Sequence, residues 1–238
     1  MMRSVAINGD IIEYIEIGKG KPYIFVSGYL YPPQTYELRE IPGYRIIAPY
    51  ISGATYRKDP PITFEDHVKL LKEFCRYMKI KPAYIAGHSL GASIALECVS
   101  SLGAQAVYAS QPVMPVRYSG FRHLVRYMAL ILLELMQKEK RKKSAEILSS
   151  VARQFLKKPR VSYKQIQGIT KTCYSKDLDI KGTIALGLDE TLFKKEDYIR
   201  YFYSKPFLSL NKRSIPGVGH NWPLHDPKLF MHELKTIL

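Results

Sequence analysis

The chain has 238 residues, of which 46% are hydrophobic and 24% charged, and its formal net charge is +15 at pH 7. This length suits one α/β domain with a modest insertion, and the composition excludes a disordered or fibrous protein. Three cysteines, odd in number and widely spaced, argue against a disulfide framework and against a zinc site. We find neither a secretion signal nor an apolar stretch of the roughly 20 residues that cross a membrane. A cytoplasmic protein without a transmembrane segment is therefore expected.

The positive charge is concentrated in one part of the chain. Residues 115–182 hold 16 Lys and Arg against 5 Asp and Glu, a net charge of +11, whereas the rest of the chain holds 20 against 16, a net charge of +4. The densest run, residues 138–143, has no interleaved aromatic residues of the kind that stack on bases. We therefore interpret it as a solvated helical face and expect no specific nucleic-acid partner.

The first half of the chain alternates between strand and helix patterns. Residues 4–7 and 11–17 predict a hairpin through the Asn8-Gly9 turn, and residues 23–27 and 45–48 are short apolar runs typical of buried strands. An amphipathic helix follows over residues 63–79, then a strand at 83–86, a helix at 90–101 and a strand at 106–109. A strand, a helix and a second strand in succession favour a parallel sheet with helices on its faces, so the fold class is α/β.

The pattern changes after residue 112 and returns near residue 179. Residues 117–172 show helical periodicity without a β-rich run, which predicts two or three helices. Strand and helix patterns then resume with strands at 183–188 and 213–215 and helices at 194–203 and 227–238. We predict a core of residues 1–112 and 179–238, with residues 113–178 as an inserted helical cap.

A serine stands at the tip of a predicted tight turn between strand and helix. Gly87 and Gly91 flank Ser89 at two residues on each side, because larger side chains there would collide with neighbouring chain. The turn raises the hydroxyl above the end of the sheet and directs the helix N-terminus, with the backbone N–H of Leu90, toward a developing oxyanion. We interpret Ser89 as a nucleophile rather than as part of a linking turn.

A serine nucleophile needs a base and a carboxylate that orients it. Among six histidines, His220 lies alone in a glycine-rich loop directly after a predicted strand, where open α/β sheets carry functional groups. Asp189 and Glu190 follow another strand in the same way. Asp189 is preferred because its side chain is shorter and the strand ends immediately before it, with Glu190 as the alternative acid.

With these residues in place, the chain resembles the α/β-hydrolase superfamily, in its group of small cap-bearing serine hydrolases. The resemblance covers nearly the whole chain: the early hairpin, Ser27-Gly28 where the family usually has His-Gly, the turn at Ser89, the helical insertion, and Gly219-His220 near the end. It implies a mostly parallel sheet of about eight strands, and a second oxyanion N–H from Tyr29. The family's Gly-x-x-Asp spacing, counted from Gly187, would select Glu190 as the acid.

A cap over the site would exclude water and shape a substrate pocket. We expect a small-molecule substrate with an apolar or aromatic acyl group. The candidate substrate-binding residues are Gly28, Leu30, Tyr31, Met128 and Trp222. The oligomeric state is left open.

The leading hypothesis is hydrolysis of a carboxylic ester or related acyl bond through an acyl-enzyme, with neither a metal nor an organic cofactor. An aminopeptidase, a thioesterase, a lactonase and a carbon–carbon bond hydrolase remain open within the same fold. A hypothesis from a different class is a binding protein or receptor that keeps the pocket and has weak or no turnover.

Overall fold

Apolar alternation and tight turns produce eight strands in the described part of the computed structural model, which comprises residues 2–52, 60–115, 122, 125, 126, 129, 130, 133, 141–172, 174, 178, 180–190 and 192–238. The strands are β1 (Met2–Ile7), β2 (Asp10–Gly18), β3 (Lys21–Val26), β4 (Tyr44–Pro49), β5 (Tyr84–His88), β6 (Ala106–Ser110), β7 (Gly182–Gly187) and β8 (Asn211–Ile215). Each strand predicted from the sequence is present, with its ends shifted by at most a few residues.

The eight strands form one sheet in the order β1-β2-β4-β3-β5-β6-β7-β8. The β1–β2 and β2–β4 pairs are antiparallel, and every pair from β4 to β8 is parallel. The strand order reverses at β3, which lies between β4 and β5. Loops that leave the carboxyl ends of β3 and β5 therefore diverge at a topological switch point, where open α/β sheets form their ligand crevices.

The α-helices whose bounds the structure describes are α1 (Phe64–Tyr77), α2 (Leu90–Cys98), α3 (Arg141–Lys157), α4 (Pro159–Ile169), α5 (Lys195–Phe202), α6 (Trp222–His225) and α7 (Pro227–Leu234). Helix α1 begins at a capping box, in which the Thr63 hydroxyl accepts from the Asp66 N–H and the Asp66 carboxylate accepts from the Thr63 N–H. This main-chain donor lowers the pKa of Asp66 below its usual value.

Helices cover both faces of the sheet, as side-chain alternation along β3 illustrates. Ile24 and Val26 pack in an apolar cluster with residues of α1, α2 and α5, whereas Tyr23 and Phe25 face a second cluster that contains the buried side of α7. Both clusters are fully buried at the centre of the sheet. The predicted α/β architecture with a mostly parallel, eight-stranded sheet is confirmed.

Between β6 and β7 the described elements are helical. Helices α3 and α4 lie there, and the described residues among 122–133 are also helical. We call this part of the chain, residues 113–178, the helical insertion. Its apolar residues join both core clusters, Ile147 and Val151 on one side and Ile169 and Tyr174 on the other. Within the described ranges, no helix combines the length and the apolar character needed to cross a bilayer.

Candidate active site

Ser89 lies in a strained turn between β5 and α2. Its φ is +53° and its ψ is −122°, a conformation that costs a non-glycine residue free energy and is typical of functional sites. The turn leaves no room for side chains beside it: a Cβ on Gly87 would lie 2.2 Å from the Gly91 oxygen, and one on Gly91 would lie 2.0 Å from the Val26 oxygen. The two glycines are therefore required by the close approach of α2 to β5 and β3.

The loop after β8 brings His220 to Ser89. The Nε2 atom of His220 lies 2.9 Å from the Ser89 Oγ, so the imidazole can accept the hydroxyl proton. Only 1% of the His220 surface is exposed, which keeps competing water away from this hydrogen bond. The structure thus places together the two residues that the sequence indicated as nucleophile and base.

The carboxylate beside His220 belongs to Glu190. Its Oε2 lies 2.8 Å from the His220 Nδ1, and its Oε1 accepts from the N–H groups of Leu192 at 2.6 Å and Phe193 at 3.4 Å. These donors hold the carboxylate in one orientation, and Glu190 is buried. A buried carboxylate with several donors is well suited to stabilise a protonated imidazole.

The preference for Asp189 is corrected by this geometry. The N–H of Asp189 donates to the Val218 oxygen at 3.0 Å, so its main chain continues the pairing of β7 with the β8 side of the sheet. Its side chain is exposed to solvent. The next residue, Glu190, faces inward, and its longer side chain reaches the imidazole.

Gln111, which is not among the residues predicted from the sequence, supports the carboxylate from the end of β6. Its Nε2 donates to the Glu190 Oε2 at 3.0 Å, and its Oε1 accepts from the Gly187 N–H at 2.9 Å. The side chain is completely buried, and φ is +49°. A polar residue directly after a central strand was the available signal, since the carboxyl ends of parallel strands share one edge.

The two expected oxyanion donors start from neighbouring strands. Leu90 is the first residue of α2, where N–H groups have no acceptor inside the helix. Val26 pairs with Gly87 in the parallel register of β3 and β5, so the loop carrying Tyr29 leaves the sheet beside the turn at Ser89. The roles of the Leu90 and Tyr29 N–H groups remain predictions.

The side chain of Tyr29 contacts the helical insertion. Its hydroxyl shares its single proton between the Ser162 carbonyl oxygen at 2.9 Å and the Gln165 Oε1 at 3.1 Å, both on α4. The buried Gln165 amide in turn donates to the Pro61 oxygen at 2.6 Å. Helix α4 is therefore attached to the loop after β3 on one side and to the segment before α1 on the other.

Most of the expected substrate-binding residues are packed in the core. Leu30, Tyr31 and Trp222 expose at most 2% of their surface. Gly28 is also buried, with the side chains of Tyr31, Tyr36 and His88 close to its Cα. This burial corrects the expectation that these four residues line an open pocket. These four residues pack beneath the turn at Ser89 and the loop that carries His220. Met128 lies outside the described residues.

In sequence, the chain matches no protein-family model and no curated protein. In structure it is similar to several solved enzymes over nearly their whole length. Est816, described as an N-acyl homoserine lactone degrading enzyme, superposes with a TM-score of 0.78 at 16% identity, covering 99% of this chain and 100% of that one. CarC, a serine hydrolase involved in carbazole degradation, gives 0.77 at 19% identity, with 99% and 97% covered. A bromoperoxidase from Bacillus anthracis gives 0.76 at 16% identity, with 99% and 98% covered.

The chain has the α/β-hydrolase fold. Within this fold, Ser89, Glu190 and His220 follow β5, β7 and β8, all at the carboxyl edge of the parallel sheet. Their order along the chain is serine, acid, histidine, the order that accompanies a nucleophile turn in this fold. At these sequence identities the likeness extends to the fold alone, and the chemistry depends on the residues of the site.

Proposed function

We propose that this α/β-hydrolase is a serine hydrolase that cleaves a carboxylic ester or a related acyl bond through an acyl-enzyme intermediate. One observation carries the proposal: an unbroken hydrogen-bonded chain from Ser89 Oγ to His220 Nε2 at 2.9 Å and from His220 Nδ1 to Glu190 Oε2 at 2.8 Å. Nucleophile, base and orienting acid thus come from three separate loops and meet in the order that acyl transfer requires.

In the proposed first half-reaction, His220 takes the proton of Ser89 as the serine oxygen attacks the carbonyl carbon. Glu190 fixes the Nδ1–H tautomer and stabilises the imidazolium that forms. The N–H groups of Leu90 and Tyr29 donate to the carbonyl oxygen as it becomes negative. His220 then gives its proton to the leaving group, and the serine ester remains.

In the second half-reaction, His220 takes a proton from water, and the resulting hydroxide attacks the acyl carbon. The tetrahedral intermediate collapses, Ser89 recovers its proton from His220, and the carboxylic acid leaves. These steps use side chains, backbone N–H groups and water, and the proposal includes neither a metal nor an organic cofactor.

In this proposal the helical insertion, residues 113–178, acts as a cap that shapes the substrate pocket. The hydrogen bonds from Tyr29 to α4 support a location beside the oxyanion loop. The expected substrate is a small molecule with an apolar acyl group. The structural neighbours include Est816, described as an N-acyl homoserine lactone degrading enzyme, and a thermophilic esterase from Thermogutta terrifontis, and both descriptions fit an acyl bond. Amides, thioesters and carbon–carbon bonds remain same-fold alternatives.

The test is labelling by a fluorophosphonate probe, which reacts with an activated serine. We expect the wild type to be labelled, and Ser89→Ala to be unlabelled while keeping its fold by circular dichroism. Ser93→Ala is the matched control, because Ser93 is a buried serine one helical turn further along α2. A folded wild type that resists labelling would favour a binding protein without turnover. Activated esters of graded acyl length, tested beside amides, thioesters and lactones, would then define the substrate.

A further inference from the structure

His88, the last residue of β5 and the neighbour of Ser89, is completely buried and joins two loops of the site. Its Nε2 lies 2.9 Å from the carbonyl oxygen of His220, and its Nδ1 lies 2.8 Å from the Tyr36 hydroxyl. The same hydroxyl accepts from the N–H of Gly28 at 2.8 Å. One hydrogen-bonded chain therefore runs from the oxyanion loop, past the nucleophile, to the main chain of the base.

The direction of each hydrogen bond in this chain follows from simple chemistry. A carbonyl oxygen only accepts, so the Nε2 of His88 must carry a proton and donate to His220. Burial, together with the nearby His220, lowers the pKa of His88 to about 3, so the ring is neutral and its Nδ1 is unprotonated. The Tyr36 hydroxyl must then donate to Nδ1 while it accepts from Gly28. Each polar atom in this hydrogen-bonded chain from Gly28 to His220 therefore has a partner and a defined role as donor or acceptor.

Packing holds the His88 ring in this orientation. The Tyr31 ring is stacked on it at a centroid distance of 6.2 Å and an interplanar angle of 14°, and the Tyr36 ring meets it edge-on at 5.6 Å. Gly28 approaches so closely that a Cβ there would lie 3.2 Å from both the His88 Nδ1 and the Tyr36 hydroxyl. These contacts explain why Gly28 and Tyr31 are buried instead of lining a pocket.

We propose that Tyr36 and His88 are positioning residues, which hold the oxyanion loop and the His220 main chain at fixed distances from Ser89. This inference rests on the serine hydrolase function proposed above. The physical reason is that the base and one oxyanion donor lie on loops, whereas His88 belongs to a strand paired with β6 at Ser110. A misplacement of about 1 Å in such a site can cost a hundredfold in rate.

The variant that tests this proposal is Tyr36→Phe, which keeps the ring and removes the oxygen shared by Gly28 and His88. We expect kcat for p-nitrophenyl butyrate, per fluorophosphonate-titrated site, to fall about 10- to 100-fold, with KM changed less than about threefold. The matched control is Tyr23→Phe, which removes a buried hydroxyl that donates to the Leu234 oxygen at 3.3 Å in the same apolar cluster. The control should keep its kcat.

A second measurement needs no variant. Nitrogen-15 spectra of histidine-labelled wild type should show a neutral His88 with Nε2 protonated and Nδ1 accepting a hydrogen bond, and Tyr36→Phe should shift the Nδ1 signal. A Nδ1-protonated His88 would overturn the proposal, and so would unchanged kcat per site in Tyr36→Phe. If the wild type is not labelled at Ser89, the proposed function fails, and the nitrogen spectra still report whether the hydrogen-bonded chain exists.

Discussion

At the scale of single residues, Glu190 is the acid that contacts His220, and its neighbour Asp189 provides a matched comparison. Glu190→Gln should lower kcat by about 10³- to 10⁴-fold, because an amide no longer fixes the Nδ1–H tautomer or stabilises the imidazolium. Asp189→Asn changes the same group one position earlier, on an exposed side chain, and should stay within about twofold of the wild type. Steady-state kinetics with an activated ester decides between them. The reverse ranking would restore Asp189 as the acid.

Gln111 supports the same carboxylate from β6. Gln111→Leu removes a hydrogen bond to a charged acceptor and leaves the Gly187 N–H without its side-chain acceptor. A hydrogen bond to a charged group contributes about 1.5–3 kcal/mol, so we expect kcat to fall roughly 10- to 100-fold.

Gln105→Leu is the control for this variant, because Gln105 is exposed at the opposite end of β6. Both proteins are compared by kcat and by thermal unfolding. Equal kcat values in the two variants would mean that Gln111 only stabilises the fold.

At the scale of secondary-structure elements, the attachment of α4 depends on Tyr29. Tyr29→Phe removes the donor to Ser162 and Gln165 while retaining the backbone N–H of residue 29. We expect the free energy of opening the helical insertion to fall by about 1–2 kcal/mol. Tryptic cleavage within its basic run, residues 138–143, should then speed up roughly 5- to 30-fold.

Tyr163→Phe is the matched control on the same helix. Among the described residues, the Tyr163 hydroxyl accepts a hydrogen bond from Gln167, an exposed residue one turn away, so its loss should leave the cleavage rate nearly unchanged. Cleavage of both variants at one rate would show that the Tyr29 hydroxyl does not anchor α4.

At the scale of the whole molecule, the buried His88 couples stability to pH. Its pKa is about 3 in the native protein against an ordinary value of 6.5, so the unfolded chain binds a proton below about pH 6.5 that the native state refuses. The free energy of unfolding should therefore fall as the pH drops through this range. One proton corresponds to a slope of up to about 1.4 kcal/mol per pH unit.

Urea unfolding between neutral and mildly acidic pH measures this slope, with His88→Gln as the comparison. Glutamine does not titrate, so the slope of the free energy of unfolding against pH should be smaller in the variant by up to about 1.4 kcal/mol per pH unit, whatever its absolute stability. Equal slopes would contradict a buried, neutral His88. Because every other ionisable group is common to the two proteins, the difference between the two slopes is the informative quantity.

The amino-acid pattern alone predicted the architecture and indicated Ser89 and His220, the two residues that the structure brings together. Period-two apolar runs, the Asn8-Gly9 turn and the strand–turn–helix segment at Ser89 are local signals, since they follow from backbone sterics and side-chain alternation. His220 could also be identified from the sequence, because it lies alone in a glycine-rich loop directly after a predicted strand.

Tertiary structure alone decided which carboxylate contacts His220 and what surrounds it. Whether residue 189 or 190 faces His220 depends on how far the pairing of β7 with the β8 side continues, a non-local register that spacing does not encode. The hydrogen-bonded chain through His88 joins residues 28, 36, 88 and 220. Residues 28 and 36 lie in one loop after β3, whereas residues 88 and 220 are remote from it in sequence. They meet because the parallel strands bring the loops after β3, β5 and β8 to one edge of the sheet.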